Sequence, residues 1–231
     1  MPHIESKEQK LKTYLVIGAG PGIGLATAQK FATEGYRVVL AARSEHRIRT
    51  AIDSLREGGA TVTFERVDAA DAHAVQQLIA KFRDDLEVLH YNAGVLHYDA
   101  NGSLEASPLD TLSVESLRHE TSVNLTSAIA AMKEASDVLA NRGGSILITG
   151  GGFGIEPNAD FINISVAKAG LRAAAKALFE PLRARGIHLA TVTVATLVTP
   201  NSNKSREIGN KFWELHRQAD ASTWDWEAIV S

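Results

Sequence analysis

A glycine-rich loop near the start of the chain constrains the fold more than any other feature. It follows an apolar, β-branched run, leads directly into the helical text LATAQKFATEG, and contains Gly18, Gly20, Gly22, Ile23 and Gly24. Backbone N–H groups at a helix start, together with the helix dipole, attract an anion, and glycines let that anion come close. The sequence therefore predicts a strand, a glycine turn and a helix around an anion site, with a simple tight turn as the alternative.

Apolar runs recur at regular intervals and predict strands at 13–20, 36–42, 60–68, 86–94, 144–151 and 187–198. Their apolar character is continuous rather than alternating, which is typical of strands covered on both faces. Stretches of helical period separate the runs, at 22–35, 44–57, 72–84, 114–140 and 165–184. This alternation predicts a single α/β domain: a doubly wound parallel sheet of the Rossmann type with helices on both faces.

The two ends of the chain depart from this alternation. Residues 1–10 are polar and are predicted to form a tail, so that the domain covers 11–231, a length that one compact domain commonly has. The Trp-rich segment 204–231 is predicted to contain a helix packed over the sheet edge. Its three tryptophans are expected to serve packing or subunit contacts rather than to face a substrate.

Composition excludes several classes of function. The chain has 27 acidic and 24 basic side chains without a block of like charge, so neither a nucleic acid nor a membrane surface is an expected partner. No apolar run approaches the ~20 residues that span a bilayer. The absence of cysteine excludes disulfides, thiolate metal sites and a thiol nucleophile, so we expect no metal and a cytoplasmic setting.

Several short motifs follow one another along the predicted elements. The loop glycines have the spacing GxxxGxG, Asn92-Ala93-Gly94 ends the fourth strand, Asn124 lies in the long helix, and Lys168 lies on the next helix. In this order they resemble the short-chain dehydrogenase/reductase family over most of the chain. The resemblance implies an oxidoreductase that binds a nicotinamide dinucleotide and acts on a small organic molecule.

The resemblance also implies which residues contact the cofactor. Besides the glycine loop they are Asp68, Asn92, Ala93, Gly94, Lys168, Val198 and Thr199. Asp68 would face the adenine ring, and Thr199 would bind the nicotinamide carboxamide. In dinucleotide-binding sheets a carboxylate after the second strand selects NAD, whereas an arginine accommodates the 2′-phosphate of NADP. This chain has Arg43 and Ser44 there, so we expect NADP(H) to be preferred over NAD(H).

The catalytic positions implied by the resemblance are only partly retained. Lys168 and Asn124 are present, but the acid/base tyrosine belongs four residues before the lysine, where this chain has Ile164. The serine of the family belongs near Gly151. An isoleucine transfers no proton, so carbonyl reduction would need another proton donor. Ser165 points elsewhere on the helix, and the remaining candidates are Asp160, Asn163, His97 and Tyr98.

Two functions from different classes remain open. The first is an oxidoreductase that transfers a hydride between NADP(H) and a small carbonyl or alcohol by a non-standard proton route. The second is a catalytically inactive dinucleotide-binding sensor or partner subunit. The resemblance implies a homodimer or homotetramer paired through helices 114–140 and 165–184, which have alanine-rich faces. The usual final strand of the family is hard to find before Ser231.

Overall fold

Seven parallel strands form one sheet with the spatial order β3-β2-β1-β4-β5-β6-β7. The structure, a computed structural model, describes residues 11–231, and the predicted tail 1–10 lies outside the described residues. The strands are β1 Thr13–Ile17, β2 Arg37–Ala42, β3 Val62–Arg66, β4 Leu86–Tyr91, β5 Gly144–Thr149, β6 Ile187–Val194 and β7 Glu227–Val230. From β1 the chain adds β2 and β3 on one side of that strand, and it then crosses to add β4 to β7 on the other side. The direction of strand addition thus changes between β1 and β4, and in such sheets a crevice lies at the carboxyl ends of the two strands.

Helices cover both faces of the sheet. They are α1 Ile23–Thr33, α2 Arg49–Glu57, α3 Ala72–Lys81, α4 Val114–Thr121, α5 Ser127–Val138, α6 Ile162–Arg183 and α7 Asn203–His216. One core joins α1, α2 and α7 to the sheet, and the other joins α3, α5 and α6 to it. This layering confirms the predicted α/β class and explains the continuous apolar strands. None of these helices, within residues 11–231, is long and apolar enough to cross a membrane.

The helical stretch predicted at 114–140 contains an irregular turn. Between α4 and α5 the residues Ser122–Thr126 form a π-helical turn, which widens the backbone and is frequent at functional sites. Asn124 lies at the centre of this turn, and its side chain is buried. The π-helical turn therefore places the polar side chain of Asn124 on the buried side of this helical stretch.

The prediction for the C-terminal segment is wrong in its placement. Helix α7 packs along α1 on a face of the sheet rather than over an edge. The final strand, which was hard to find in the sequence, is β7, and it pairs in parallel with β6. Glu227 at its start accepts two hydrogen bonds from the guanidinium of Arg172, at 2.8 and 2.7 Å, and one from the hydroxyl of Thr193 at 2.6 Å. These contacts hold β7 in place, and its four residues are too few for an apolar pattern to predict a strand.

Each of the three tryptophans packs within the chain. Trp213 meets Phe31 edge to face with ring centroids 5.2 Å apart. Trp224 stacks on His188 at 4.5 Å. The guanidinium of Arg172 lies 5.2 Å from the ring of Trp226. Their large apolar areas thus attach the C-terminal segment to the helices and strands around it.

Candidate functional site

The glycine loop between β1 and α1 is open where it leads into the helix. The N–H of Gly18 donates to the carbonyl of Ala41 at the end of β2, at 2.9 Å. Gly18 has φ +92°, and a β-carbon there would lie 2.4 Å from N of Ala93, so only glycine fits. A β-carbon on Gly20 or Gly22 would meet nothing within 4 Å. Because α1 begins without a side-chain cap, this open loop fits a phosphate group.

Asn92 connects the ends of three strands. Its Nδ2 donates to the carbonyl oxygen of Gly18 at 2.7 Å, and its Oδ1 accepts from the hydroxyl of Thr149 at 2.8 Å. A β-carbon on Gly24 would lie 2.8 Å from Nδ2 of Asn92, so α1 approaches this strand end closely only because residue 24 is glycine. The amide therefore holds the glycine loop against the carboxyl ends of β4 and β5.

A buried chain of hydrogen bonds continues from Thr149 to β1. Since the Thr149 hydroxyl donates to Asn92, it accepts from Nε2 of His90 at 2.9 Å, which leaves Nδ1 of His90 to accept from the Tyr14 hydroxyl at 2.6 Å. Burial lowers the pKa of His90 to about 3, so the ring is neutral, as this arrangement requires. Sequence reasoning missed this chain, although a histidine inside the apolar run LEVLHY was an available signal.

Lys168 reaches from α6 to the end of β5. Its Nζ donates to the backbone oxygen of Thr149 at 2.8 Å. Burial lowers the pKa of Lys168 to about 8, because the ammonium group loses hydration. The stem of the lysine passes Gly151, and Ile164, one helical turn earlier, is buried. The structure therefore brings three of the residues predicted for the catalytic positions together.

Asn124 lies beside the strand end that carries Asn92. Its Oδ1 accepts a hydrogen bond from the N–H of Val95 at 2.7 Å, and a β-carbon on Gly94 would lie 3.4 Å from the same oxygen. The Nδ2 of Asn124 is buried and has no hydrogen-bond partner in the described part of the chain. A buried amide donor without a partner is costly, so this N–H₂ group is suited to a bound molecule.

The outer part of the sheet edge carries exposed polar side chains. Arg43 and Ser44 follow β2 and are exposed, and Arg43 forms no ion pair within residues 11–231. Asp68 follows β3, and its Oδ1 accepts from the N–H of Ala70 at 3.0 Å. After β6 the side chain of Thr199 is exposed. The predicted contacts thus lie after β1, β2, β3, β4 and β6, along one edge of the sheet.

Comparison with known proteins identifies the family. A family model described as short chain dehydrogenase matches residues 12–209. The chain belongs to the short-chain dehydrogenase family. This result confirms the resemblance predicted from the motifs, and with it the class of oxidoreductases that bind a nicotinamide dinucleotide.

Individual relatives of this short-chain dehydrogenase agree with the assignment. The oxidoreductase YxbG of Bacillus subtilis is 26% identical over 214 residues, which cover 89% of this chain and 76% of that protein. A 3beta-hydroxysteroid dehydrogenase 1 of Eggerthella lenta is 29% identical over 195 residues, covering 83% and 72%. The crystal structure of a metagenomic short-chain oxidoreductase in complex with NADP has a TM-score of 0.83 at 23% identity and covers 95% of this chain and 96% of that chain. The last comparison supports the fold alone.

Among the candidate proton donors of this short-chain dehydrogenase, several are poorly placed. The hydroxyl of Ser165 donates to the backbone oxygen of Phe161 at 2.8 Å and accepts from the N–H of Asn158 at 3.1 Å, so it is bound to the segment before α6. Tyr98 is 52% exposed and pairs with Leu104 in an isolated bridge. Asp160 is exposed in the short 3₁₀ turn before α6. No group of three or more metal-ligating side chains within residues 11–231 is arranged to hold a metal ion.

The other two candidates meet at a residue that sequence reasoning missed. His97 and Asn163 both contact the carboxylate of Glu120, which lies on α4 and is 6% exposed. His97 lies 23 residues before Glu120 and Asn163 lies 43 residues after it, so no local spacing in the sequence links the three. The only available signal was an acidic residue within VESLRHET, one helical turn before Asn124.

Proposed function

We propose that this protein is an NADP(H)-dependent oxidoreductase that transfers a hydride between the cofactor and a small organic carbonyl or alcohol. The observation that carries the proposal is the composition of one sheet edge. It offers the open space over Gly20 and Gly22, the unpartnered Nδ2 of Asn124 and the partly buried ammonium group of Lys168. An elongated ligand with an anionic centre and a polar ring fits this sequence of groups.

The cofactor would be held by residues after five of the strands. The start of α1 would bind the pyrophosphate, Arg43 and Ser44 the 2′-phosphate, Asp68 the adenine side, and Lys168 the ribose beside the nicotinamide. The other proposed contacts are Gly18, Ile23, Gly24, Asn92, Ala93, Gly94, Val198 and Thr199. When bound, a nicotinamide ring supplies or accepts a hydride. The preference for NADP rests on an unpaired guanidinium, and on the lack of a carboxylate, directly after β2.

We propose further that the protein is an atypical family member without the acid/base tyrosine and its serine. Ile164 occupies the position one turn before Lys168, and glycines occupy positions 150 to 152. A buried isoleucine excludes proton transfer at that position, so the proton follows a different route. A relative named for a hydroxysteroid supports alcohol or carbonyl chemistry, and the substrate itself is proposed only at that level.

The buried Ile164 also favours a second candidate, a sensor or partner subunit that binds the dinucleotide without turnover. Calorimetric titration with NADPH, followed by NADPH oxidation in the presence of mixed ketones and aldehydes, separates the two. Binding together with substrate-dependent oxidation supports the enzyme. Binding without oxidation of NADPH by any substrate supports the sensor, and absence of binding contradicts both.

Self-association is proposed through α4, α5 and α6. The outer faces of these helices expose Val114, Ile129 and Val166 at 55%, 43% and 59% of their surface. Exposed aliphatic side chains on neighbouring helices are suited to a symmetric interface. We expect a homodimer or homotetramer by light scattering. A wild-type monomer at micromolar concentration would contradict this assembly.

A further inference from the structure

Three side chains from separate elements meet beside the proposed cofactor edge. Nε2 of His97, in the loop after β4, lies 3.0 Å from Oε1 of Glu120 on α4. Nδ2 of Asn163 on α6 donates to Oε2 of the same carboxylate at 2.6 Å. The side chain of Glu120 is 7% exposed, whereas that of His97 is 49% exposed. A buried carboxylate therefore holds one nitrogen of a half-exposed imidazole ring, and we refer to the three residues as the His97 cluster.

Each member of the His97 cluster adjoins a residue of the site. The loop that carries the histidine is held by Val95, whose N–H donates to Oδ1 of Asn124 at 2.7 Å. Glu120 lies one helical turn before Asn124. Asn163 directly precedes Ile164, the position from which a family member would supply its proton. The cluster is thus built on the same loop and helices as these site residues.

We propose that His97 is the proton-transfer residue of this protein, and that Glu120 and Asn163 are positioning residues; the inference rests on the proposed oxidoreductase function. In the reducing direction, a bound nicotinamide cofactor would supply a hydride to the carbonyl carbon and would itself be oxidised. His97, protonated at both ring nitrogens, would supply the proton: its Nδ1–H bond breaks and leaves the electron pair on Nδ1, while the π electrons of the carbonyl group form the new O–H bond. The ring then takes a replacement proton from water, and the product is the alcohol.

The hydrogen bonds of the cluster explain why this ring is suited to the task. Because the carboxylate accepts from Nε2–H, Nδ1 is the nitrogen left for a substrate. The negative charge of Glu120 stabilises the ring while it carries the proton. Asn163 binds the second carboxylate oxygen, so the carboxylate cannot rotate away from the histidine. A buried group that orients the base is the arrangement by which side chains are activated in other proton-transfer sites.

Other groups near the site are less suited to this role. Tyr98 is exposed, and no described residue forms a side-chain hydrogen bond with it. The ammonium group of Lys168 is the main rival, but it donates to the backbone oxygen of Thr149 at 2.8 Å. Among these candidates, all within residues 11–231, His97 alone combines a half-exposed ring with a buried carboxylate that is hydrogen-bonded at both oxygens.

The first test removes the ring. With a carbonyl substrate taken from the NADPH oxidation screen, His97→Ala should lower kcat by about 10²–10⁴-fold. NADPH affinity, measured by calorimetry, should stay within about twofold of wild type, because the ring does not bind the cofactor. Added imidazole should restore part of the lost rate. The matched control is His119→Ala, which removes an exposed histidine from the same helix as Glu120 and should leave kcat unchanged.

The second test addresses the positioning residues and has a readout besides activity. Glu120→Gln keeps the shape of the side chain and removes its charge, so kcat should fall at least about tenfold with NADPH affinity retained. In ¹⁵N NMR spectra of the wild-type protein without cofactor, the Nε2 proton of His97 should exchange slowly with water. Glu120→Ala should abolish that protection, while His119→Ala should preserve it.

The outcomes separate this inference from the proposed function. Full activity of His97→Ala in an active wild-type background would overturn the role of His97 and leave the oxidoreductase function standing, with Lys168 as the proton donor. A wild-type protein that binds NADPH and reduces no carbonyl would overturn both. If His97→Ala does not fold, His97→Gln and the NMR measurement on wild type decide the question, since rapid exchange at Nε2 contradicts the cluster.

Discussion

A β-carbon on Gly151 would lie 3.3 Å from Cγ of Lys168, and its three nearest atoms all belong to the flexible stem of that lysine. The two neighbouring glycines are different. A β-carbon on Gly150 would lie 2.7 Å from Cγ2 of Thr191, and one on Gly152 would lie 3.0 Å from Cα of Ala195. A small side chain beside the lysine is therefore tolerated at position 151, and we expect this glycine, rather than either neighbour, to accept a serine.

This geometry predicts that the missing groups can be restored. Ile164→Tyr combined with Gly151→Ser places a phenol one helical turn from an ammonium group, which favours the phenolate and makes proton transfer easier. Carbonyl reduction should rise by about 10²-fold or more. The control is Ile164→Phe with Gly151→Ser, which has the same bulk and no hydroxyl. Equal rates of NADPH oxidation in the two double variants would contradict the prediction.

A second prediction concerns the glycine loop. Gly22→Val should abolish NADPH binding, because the added side chain fills the space over the start of α1, yet the melting temperature should stay near that of wild type since a β-carbon there meets nothing within 4 Å. Gly18→Ala should instead destabilise the fold by at least about 1–3 kcal/mol, because of its φ of +92° and the clash with Ala93. Calorimetry and thermal unfolding check both results. Undiminished NADPH binding by Gly22→Val would remove the loop from the site.

A third prediction concerns cofactor choice. Arg43→Ala should weaken binding of NADPH by about 1–3 kcal/mol, or roughly 5–150-fold, while binding of NADH changes little, because only NADPH carries the 2′-phosphate. Arg47→Ala removes a nearby exposed arginine and serves as the control. Titration of both cofactors with each variant gives the comparison. If wild type binds NADH as tightly as NADPH, Arg43 does not select the cofactor.

The sequence predicted the features that depend on local pattern and missed those that depend on distant partners. The alternation of apolar runs and helical stretches was sufficient for the sheet and for six of its strands. The strand β7 has only four residues, and it is fixed by Glu227 through an ion pair with Arg172, 55 positions away. No window of the sequence contains both partners, so its pattern could not reveal the strand.

The site likewise has some features that the sequence could predict and others that it could not. The spacing of Ile164 and Lys168 was readable because one helical turn places both on the same face. The buried links from Tyr14 through His90 to Thr149 were not readable, since they cross three strands at separations of 76 and 59 residues. Register between parallel strands, which only the folded sheet defines, brings these polar groups into contact.

The buried histidines predict that acid destabilises the fold at a pH where most carboxylates are still ionised. Burial lowers the pKa of His90 to about 3 and that of His216 to about 4, from 6.5. Below pH 6.5 the two histidines bind protons in the unfolded chain but stay neutral in the folded chain. The free energy of unfolding is therefore highest above pH 6.5 and decreases as the pH falls towards 4. The free energy of unfolding should decrease by about 2 kcal/mol between pH 7 and 5.5. His216→Gln should reduce this slope, whereas His73→Gln, at an exposed position, should preserve it. Urea unfolding at several pH values measures the slope, and a free energy independent of pH above 5 would contradict the neutral, buried state of these rings.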